Sequence, residues 1–196
     1  MDPINIFVGL NLLATFGANI SGAQRGLKEK LTVHKEKPKT YLQKFPLALS
    51  ALSLVAIILG LFQIGTLEYI DEFGNAMFEN TRLIGFILYL TFSWIQIWAY
   101  KTLGENYSQD ILILKDHKIV TSGPFKLIRH PQYLSQILMD LAAGVATLSY
   151  VVIIIALIEI PFLIMRALLE EKILAKHFKE YSEYKSKRGF MIPFVG

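Results

Sequence analysis

The sequence predicts an all-α integral membrane protein with five transmembrane helices, the last two forming a helical hairpin. Three observations predict it. Of the 196 residues, 53% are hydrophobic and only 18% are charged, fewer than the quarter that a soluble domain carries, and the mean hydropathy is +0.43. The apolar residues gather into runs near the ~20 residues that a helix needs to cross a bilayer. Nineteen of the twenty Lys and Arg residues fall on one side of a five-helix arrangement. By the positive-inside rule that side is the cytoplasm and the N-terminus lies outside. The net charge of +4 then reflects topology and anionic lipid headgroups, with no reason to expect nucleic acid. The 12% aromatic content, with abundant Leu and Ile, excludes disorder. The absence of cysteine excludes a disulfide framework, a thiolate nucleophile, a zinc ribbon and an iron–sulfur cluster.

The first helix is expected from about Ile4 to Ile20, interrupted by Asn5, Asn11 and Asn19. It lacks the basic start of a signal peptide, with only Asp2 before it, and Gln24-Arg25-Gly26 after Ala23 is a poor cleavage site, so a retained helix is expected. The second runs from Phe45 to Ile64 and is almost uniformly apolar. The third, Leu83 to Tyr100, carries Trp94, Trp98 and Tyr100 near one end, as an interfacial belt does. From Tyr133 to Met165 the chain is apolar again for 33 residues, too long for one ordinary span. Two helices turning near Ser149–Tyr150 would each reach roughly 24 Å at 1.5 Å per residue, enough for most of a locally thinned bilayer. The loop 21–44 holds Arg25, Lys28, Lys30, Lys35, Lys37, Lys39 and Lys44, whereas 65–82 is acidic, with Glu68, Asp71, Glu72 and Glu79 against Arg82 alone. The chain thus divides into a three-helix anchor, 1–100, and a compact unit, 101–196, in which polar residues crowd against membrane segments.

Familiar soluble signatures are missing. There is no Gly-x-Gly-x-x-Gly, no Gly-Lys-Ser/Thr phosphate loop and no serine elbow. His34, His117, His130 and His177 are scattered without carboxylate or thiolate companions at ligand spacing, so no metal is expected. The informative stretch is 116–133, DHKIVTSGPFKLIRHPQY. Val120 to Pro124 reads as an extended run ending in a turn, and Pro131 suits the first turn of a helix opening at about Gln132. Arg129 and His130 would then sit at the membrane surface beside a helix N-terminus, a good place to hold an anion. Equally, Arg129, Lys126 and Lys118 could simply anchor the loop to phospholipid headgroups. In 166–184, Arg166 is expected to close the fifth helix, with Glu170 one turn later on the same face. Leu169, Ile173, Phe178, Tyr181 and Tyr184 form an amphipathic stripe that would pack on the membrane surface or on the loop 101–132. Asp140 and Glu159 lie at matched depth in the hairpin. They read either as a proton pathway or as a shared-proton hydrogen bond holding the hairpin together.

The ordered set His117, Val120, Gly123-Pro124-Phe125, Arg129-His130-Pro131-Gln132-Tyr133, then Arg166, Glu170-Glu171, Leu174, Tyr181, Tyr184 and Pro193 resembles the isoprenylcysteine carboxyl methyltransferase family. Phospholipid N-methyltransferases share much of it. The resemblance covers about 104–194; the first 100 residues match only in being membrane helices. It implies an S-adenosyl-L-methionine site, leaving S-adenosyl-L-homocysteine, built without a Rossmann sheet on a cytoplasmic loop and the amphipathic C-terminal helix. By motif match His117, Lys118, Ile119, Val120, Phe125, His130, Pro131, Gln132 and Tyr133 would line the cofactor site, and Arg166 and Glu170 would face the methyl acceptor. The sequence departs from the family at Phe125, where Tyr is frequent. It departs again at His177-Phe178-Lys179-Glu180-Tyr181, where the family carries Phe-Gly-x-x-Tyr.

The chemistry suits these residues. A carboxyl acceptor with a pKa near ~3.5 is already ionised and needs no general base. Position and partial desolvation are what the protein must supply. Arg166 can hold one carboxylate oxygen while the other attacks, Glu170 can orient Arg166, and an aromatic face such as that of Tyr133 can stabilise a sulfonium. A lipidated acceptor would enter sideways from the bilayer and the cofactor from the cytoplasm. Two other readings stay open. One is a phospholipid or other amine methyltransferase of the same fold. The other is a non-enzymatic membrane protein or transporter with Asp140 and Glu159 as its functional pair.

Overall fold

The computed structural model describes residues 2–29, 34–67 and 75–195. Among them are six α-helices, α1 (Pro3–Glu29), α2 (Phe45–Leu61), α3 (Asn75–Leu103), α4 (Pro131–Thr147), α5 (Tyr150–His177) and α6 (Glu180–Lys187), and two short strands, β1 (His34–Glu36) and β2 (Ile113–Leu114). The strands pair antiparallel, His34 opposite Leu114 and Glu36 opposite Ile113, with an irregular register between.

The outer surface is apolar. Phe7, Leu10 and Leu13 of α1, Ile58 and Leu59 of α2, and Ile84 and Ile87 of α3 all point outward, an arrangement that suits lipid rather than water. Three segments, Tyr41–Leu61, Phe78–Asn106 and Tyr150–His177, are long and apolar enough to cross a membrane, and Pro3–Ala18 is a shorter apolar helix. The protein is therefore an integral membrane protein. Helix α4 has 17 residues and differs in kind: it packs against α1, α2, α3 and α5. Its Ala142, Ala143, Gly144 and Ala146 let neighbouring backbones approach closely. Gly85 of α3 shows how closely, since a Cβ there would lie 2.8 Å from the Ala146 backbone nitrogen. A polar residue in α4 faces protein on all sides, which is why that helix tolerates Asp140.

Leu148, in the left-handed conformation at φ 55°, and Ser149 connect α4 to α5. The Ser149 hydroxyl accepts from the Val152 amide (3.3 Å) and donates to the Gly65 carbonyl (3.1 Å), and the Leu67 amide donates to the Leu148 carbonyl (2.9 Å). The end of α2 is thus tied to this turn. Nearby, the buried Arg82 guanidinium donates to Asp2 (2.6 and 2.9 Å), to the Asn5 Oδ1 (3.2 Å) and to the Ala146 carbonyl (3.1 Å). Asn5 donates to the Leu61 carbonyl (3.2 Å), and Asn11 to the Ser93 hydroxyl (3.0 Å). Asn5 and Asn11, which interrupt the first apolar run, are helix-to-helix fasteners.

The structure corrects the expected end of the fifth helix. Helix α5 continues through Arg166 to His177, because ALLEEKILAK after Arg166 holds strong helix formers and no breaker. The break comes at Phe178, whose φ of −128° and ψ of 109° are extended. The expected stripe is therefore split between α5 and α6. Its first part packs as one cluster with Leu42, Ile111 and Ile113. Val120 to Ser122 forms no strand, and a 3-10 turn occupies Gly123–Lys126. Of the charges used to orient the chain, Lys30, Glu68, Asp71 and Glu72, and the side chains of Arg25 and Lys28, lie outside the described residues.

Candidate functional site

One cavity of about 540 Å³ opens where the ends of α3, α4 and α5 meet the loop 104–130, within the range of small-molecule sites. Its polar part is lined by His117 to Val120, Phe125, His130, Gln132, Tyr133, Tyr181 and Tyr184. Every residue expected at a cofactor lines it except Pro131, whose buried ring opens α4 and fixes where the helix starts. Arg166 and Glu170 lie on the wall of the same cavity. Phe16 of α1 and Leu47, Ala51 and Leu54 of α2 add an apolar lining to it.

The loop is shaped by a few constraints. Gly123 has φ +55°, and a Cβ there would lie 2.8 Å from the Thr102 hydroxyl, so glycine lets the 3-10 turn sit on α3. That turn buries Phe125, and the Tyr184 hydroxyl donates to its carbonyl oxygen (2.8 Å). The Asn106 side chain accepts from the Lys118 amide (2.8 Å). Gln43 braces the opposite side, bonding both the amide and the carbonyl of Ile111 at 2.8 Å.

Arg129 and His130 turn away from the membrane surface. The buried Arg129 Nε donates to Glu171 (2.6 Å), and its Nη1 donates to the carbonyls of Lys185 (2.8 Å) and Arg188. Glu171 also meets Lys185 (2.7 Å) and the His130 Nε2 (3.2 Å). Arg129 is thus neither a headgroup anchor nor a free anion holder. It binds the loop to α5 and the C-terminal segment, where Glu171 carries a role that the sequence reading gave to no residue. The His130 ring, stacked beside Tyr133 at 5.7 Å, keeps Nδ1 without a partner.

Arg166 is only 4% exposed, and its surroundings are mostly neutral. Nε donates to the Tyr133 hydroxyl (2.8 Å), Nη1 to the carbonyls of Leu42 (3.1 Å) and Gln43 (3.5 Å), and Nη2 to that of Gln109. Glu170 lies 3.5 Å from Nε, and the Tyr133 hydroxyl donates to it. Four of the five guanidinium N–H groups therefore hold the cavity walls together, and one of the two on Nη2 is uncommitted among the described residues.

Outside the membrane segments, burial and the positive Lys35 hold the His117 imidazole below its ordinary pKa, so it is neutral at pH 7. Burial raises both tyrosines of α6, Tyr184 to about 12, and both are neutral phenols. Buried cavity atoms without protein partners include His117 Nδ1, His130 Nδ1 and the Gln132 Oε1. Each is a vacant hydrogen-bonding position, and a cofactor with an amino acid end, a ribose and a base can fill such positions. The fit of the residues to S-adenosyl-L-methionine is good. Tyr100, Tyr107 and Gln109, and with them Ser50, Gln96 and Gln136, also line the cavity and were not anticipated. The sequence signal was confined to Gln96 and Gln136, polar residues that interrupt apolar helices one turn from Tyr100 and Tyr133. Among the described residues no His, Asp and Glu group could hold a metal ion.

The cavity at this end of the helix bundle thus combines polar lining residues from the loop and α4 with apolar ones from α1 and α2. The family model for "Isoprenylcysteine carboxyl methyltransferase (ICMT) family" matches residues 83–176, from α3 almost to the end of α5, so that this segment is similar to that family. The protein-S-isoprenylcysteine O-methyltransferase of Saccharomyces cerevisiae is 30% identical over 117 residues, which are 58% of this chain and 49% of the yeast protein. The cobalt-zinc-cadmium resistance protein CzcN of Cupriavidus metallidurans is 34% identical over 82 residues, 40% of this chain and 37% of that protein. The chain thus spans about half or less of the length of these relatives.

Proposed function

We propose that this protein is an S-adenosyl-L-methionine-dependent methyltransferase acting on the carboxylate of a lipophilic acceptor, an isoprenylated cysteine or a close relative. The observation that carries the reading is the meeting of polar and apolar lining residues in one cavity, with Arg166 on its wall. The match to the family over residues 83–176 supports it. So does the charge pattern, which favours five spans, the hairpin of α4 and α5, a cytoplasmic cavity mouth and an outside N-terminus.

His117 to Val120, Phe125, His130, Gln132 and Tyr133 would hold the cofactor, and its sulfonium supplies an activated methyl group. The protein's own task is geometric. The walls of the cavity exclude water, and the apolar lining takes the lipid chain from the bilayer side. The uncommitted Nη2 N–H of Arg166 holds one oxygen of the acceptor carboxylate, while the other oxygen is left to attack in line. The acceptor is ionised at neutral pH, so no group has to remove a proton. Tyr133 and Glu170 fix the plane of the guanidinium, and Tyr133 presents its ring to the cationic centre.

Titration of the detergent-purified protein with S-adenosyl-L-homocysteine in a calorimeter tests the cofactor. Saturable micromolar binding is expected, weakened about tenfold or more by His130→Ala. Absence of binding by folded protein would overturn the reading. Activity on N-acetyl-S-farnesyl-cysteine rather than on phosphatidylethanolamine separates the carboxyl acceptor from the amine alternative.

A further inference from the structure

The cavity that Arg166 lines has a further polar layer, Ser50, Gln96 and Gln136, which methyl transfer to a carboxylate does not require. The carboxyl groups of Asp140 and Glu159, both almost fully buried, contact this layer through Gln136 and Ser50. Gln136 donates through Nε2 to Asp140 (3.0 Å), which turns its own carbonyl oxygen toward Gln96, and Gln96 donates through Nε2 to that oxygen. Each amide is thereby set in one orientation. The chain ends at the Gln96 Oε1, which has no partner among the described residues, although Gln96 is only 5% exposed and lines the cavity. On α2, Ser50 also lines the cavity, with its hydroxyl at hydrogen-bond distance from both the Pro46 carbonyl (3.1 Å) and Glu159. Its oxygen, too, is left as an acceptor.

We infer that this polar layer is a subsite for an N–H donor on the methyl acceptor. Gln96 Oε1 and Ser50 Oγ receive that donor, and Asp140 and Glu159 act as positioning residues that fix their polarity. The inference rests on the methyl-transfer reading for the identity of the ligand, and it narrows that ligand to a lipophilic carboxylate carrying an amide or ammonium N–H. A buried acceptor left unpaired weakens binding, so an acceptor molecule without the N–H should bind less well.

The test compares N-acetyl-S-farnesyl-cysteine with its depsi analogue, in which an ester oxygen replaces the amide N–H. Equilibrium binding of each to the protein saturated with S-adenosyl-L-homocysteine is measured. The amide is expected to bind about tenfold more tightly. Gln96→Met should reduce that preference to within about twofold while leaving the affinity for the ester nearly unchanged. Asp140→Asn, which can donate to Gln136 and so reverse the chain, should erode the preference without touching the cavity lining. Retained binding of S-adenosyl-L-homocysteine shows that each variant is folded. Equal affinities in the unmodified protein, no binding of either compound, or a preference that survives both substitutions would overturn the inference. A preference as expected without turnover of the amide would instead fault the methyl-transfer reading alone.

Discussion

Arg82 and Arg166 are both buried, at 6% and 4% exposure, yet they sit at opposite ends of the helix bundle in opposite surroundings. Arg82 is matched by a bidentate carboxylate, Asp2, and by Glu79 at 3.3 Å. Its charge is met within the protein, and what it does is close α1, α3 and α4 together. Arg166 bonds to three backbone carbonyls and a phenol, with Glu170 at the longer distance of 3.5 Å. Neutral oxygens satisfy its N–H groups without cancelling its charge. The same residue type is a staple where carboxylates enclose it and stands available as the proposed anion site where carbonyls do. Arg129, paired with Glu171, belongs with Arg82.

The largest effect should follow Arg166→Ala. Loss of the charge at the acceptor is expected to lower kcat/KM on N-acetyl-S-farnesyl-cysteine by roughly a thousandfold, the scale for removing one preorganised donor at a reacting oxygen. Binding of S-adenosyl-L-homocysteine should change by no more than about threefold. Equal loss of both would show that Arg166 supports the walls alone. Arg82→Ala should do the reverse. Removing one partner of a buried pair costs about 3 kcal/mol, read as a lower Tm in detergent, while turnover per folded molecule and cofactor affinity stay within about twofold. A selective loss of activity in this variant would break the comparison.

A smaller effect is the acid dependence of the same staple. Hydrogen bonding and charge from Arg82 hold the Asp2 carboxyl below its ordinary value of 3.8 despite partial burial. The stability it contributes is therefore fully present above about pH 4 and is lost as the pH falls through the lowered folded-state value. Thermal melts of the unmodified protein should drop across that window, and those of Arg82→Ala should drop less. The smallest effect is expected from Tyr184→Phe, which removes one hydrogen bond to the Phe125 carbonyl. It should cost about 1 kcal/mol of stability and raise the Kd for S-adenosyl-L-homocysteine by a few-fold, because the turn that carries Phe125 loses its brace.

Much of the helical plan was legible because a bilayer imposes a simple rule on sequence: long apolar runs, with aromatic and basic residues at their ends. Helices α2, α3 and the start of α5 follow from it. Hydropathy does not show the continuation of α5 past Arg166, because the end of a membrane span is not the end of a helix. Helix geometry depends on backbone propensity, and the segment Ala167–Lys176 remains helix-forming after it leaves the apolar zone. The candidate site was half legible. Ordered spacing picked out His117 to Tyr133 and Arg166 to Tyr184, since those residues lie on two continuous stretches of chain.

By itself, then, the sequence determined the class of protein, the main helices and the two stretches that surround the cavity, because hydropathy and motif spacing are properties of neighbours along the chain. Only the tertiary structure decided which buried charges are neutralised. It turned Arg129 from the surface to Glu171, set the backbone carbonyls of Leu42, Gln43 and Gln109 around Arg166, and joined Gln96 to Asp140 through Gln136. Those partners lie 40 or more residues apart in most cases. A hydrogen bond is directional and short, so its existence depends on how helices are rotated and packed, which no local pattern records.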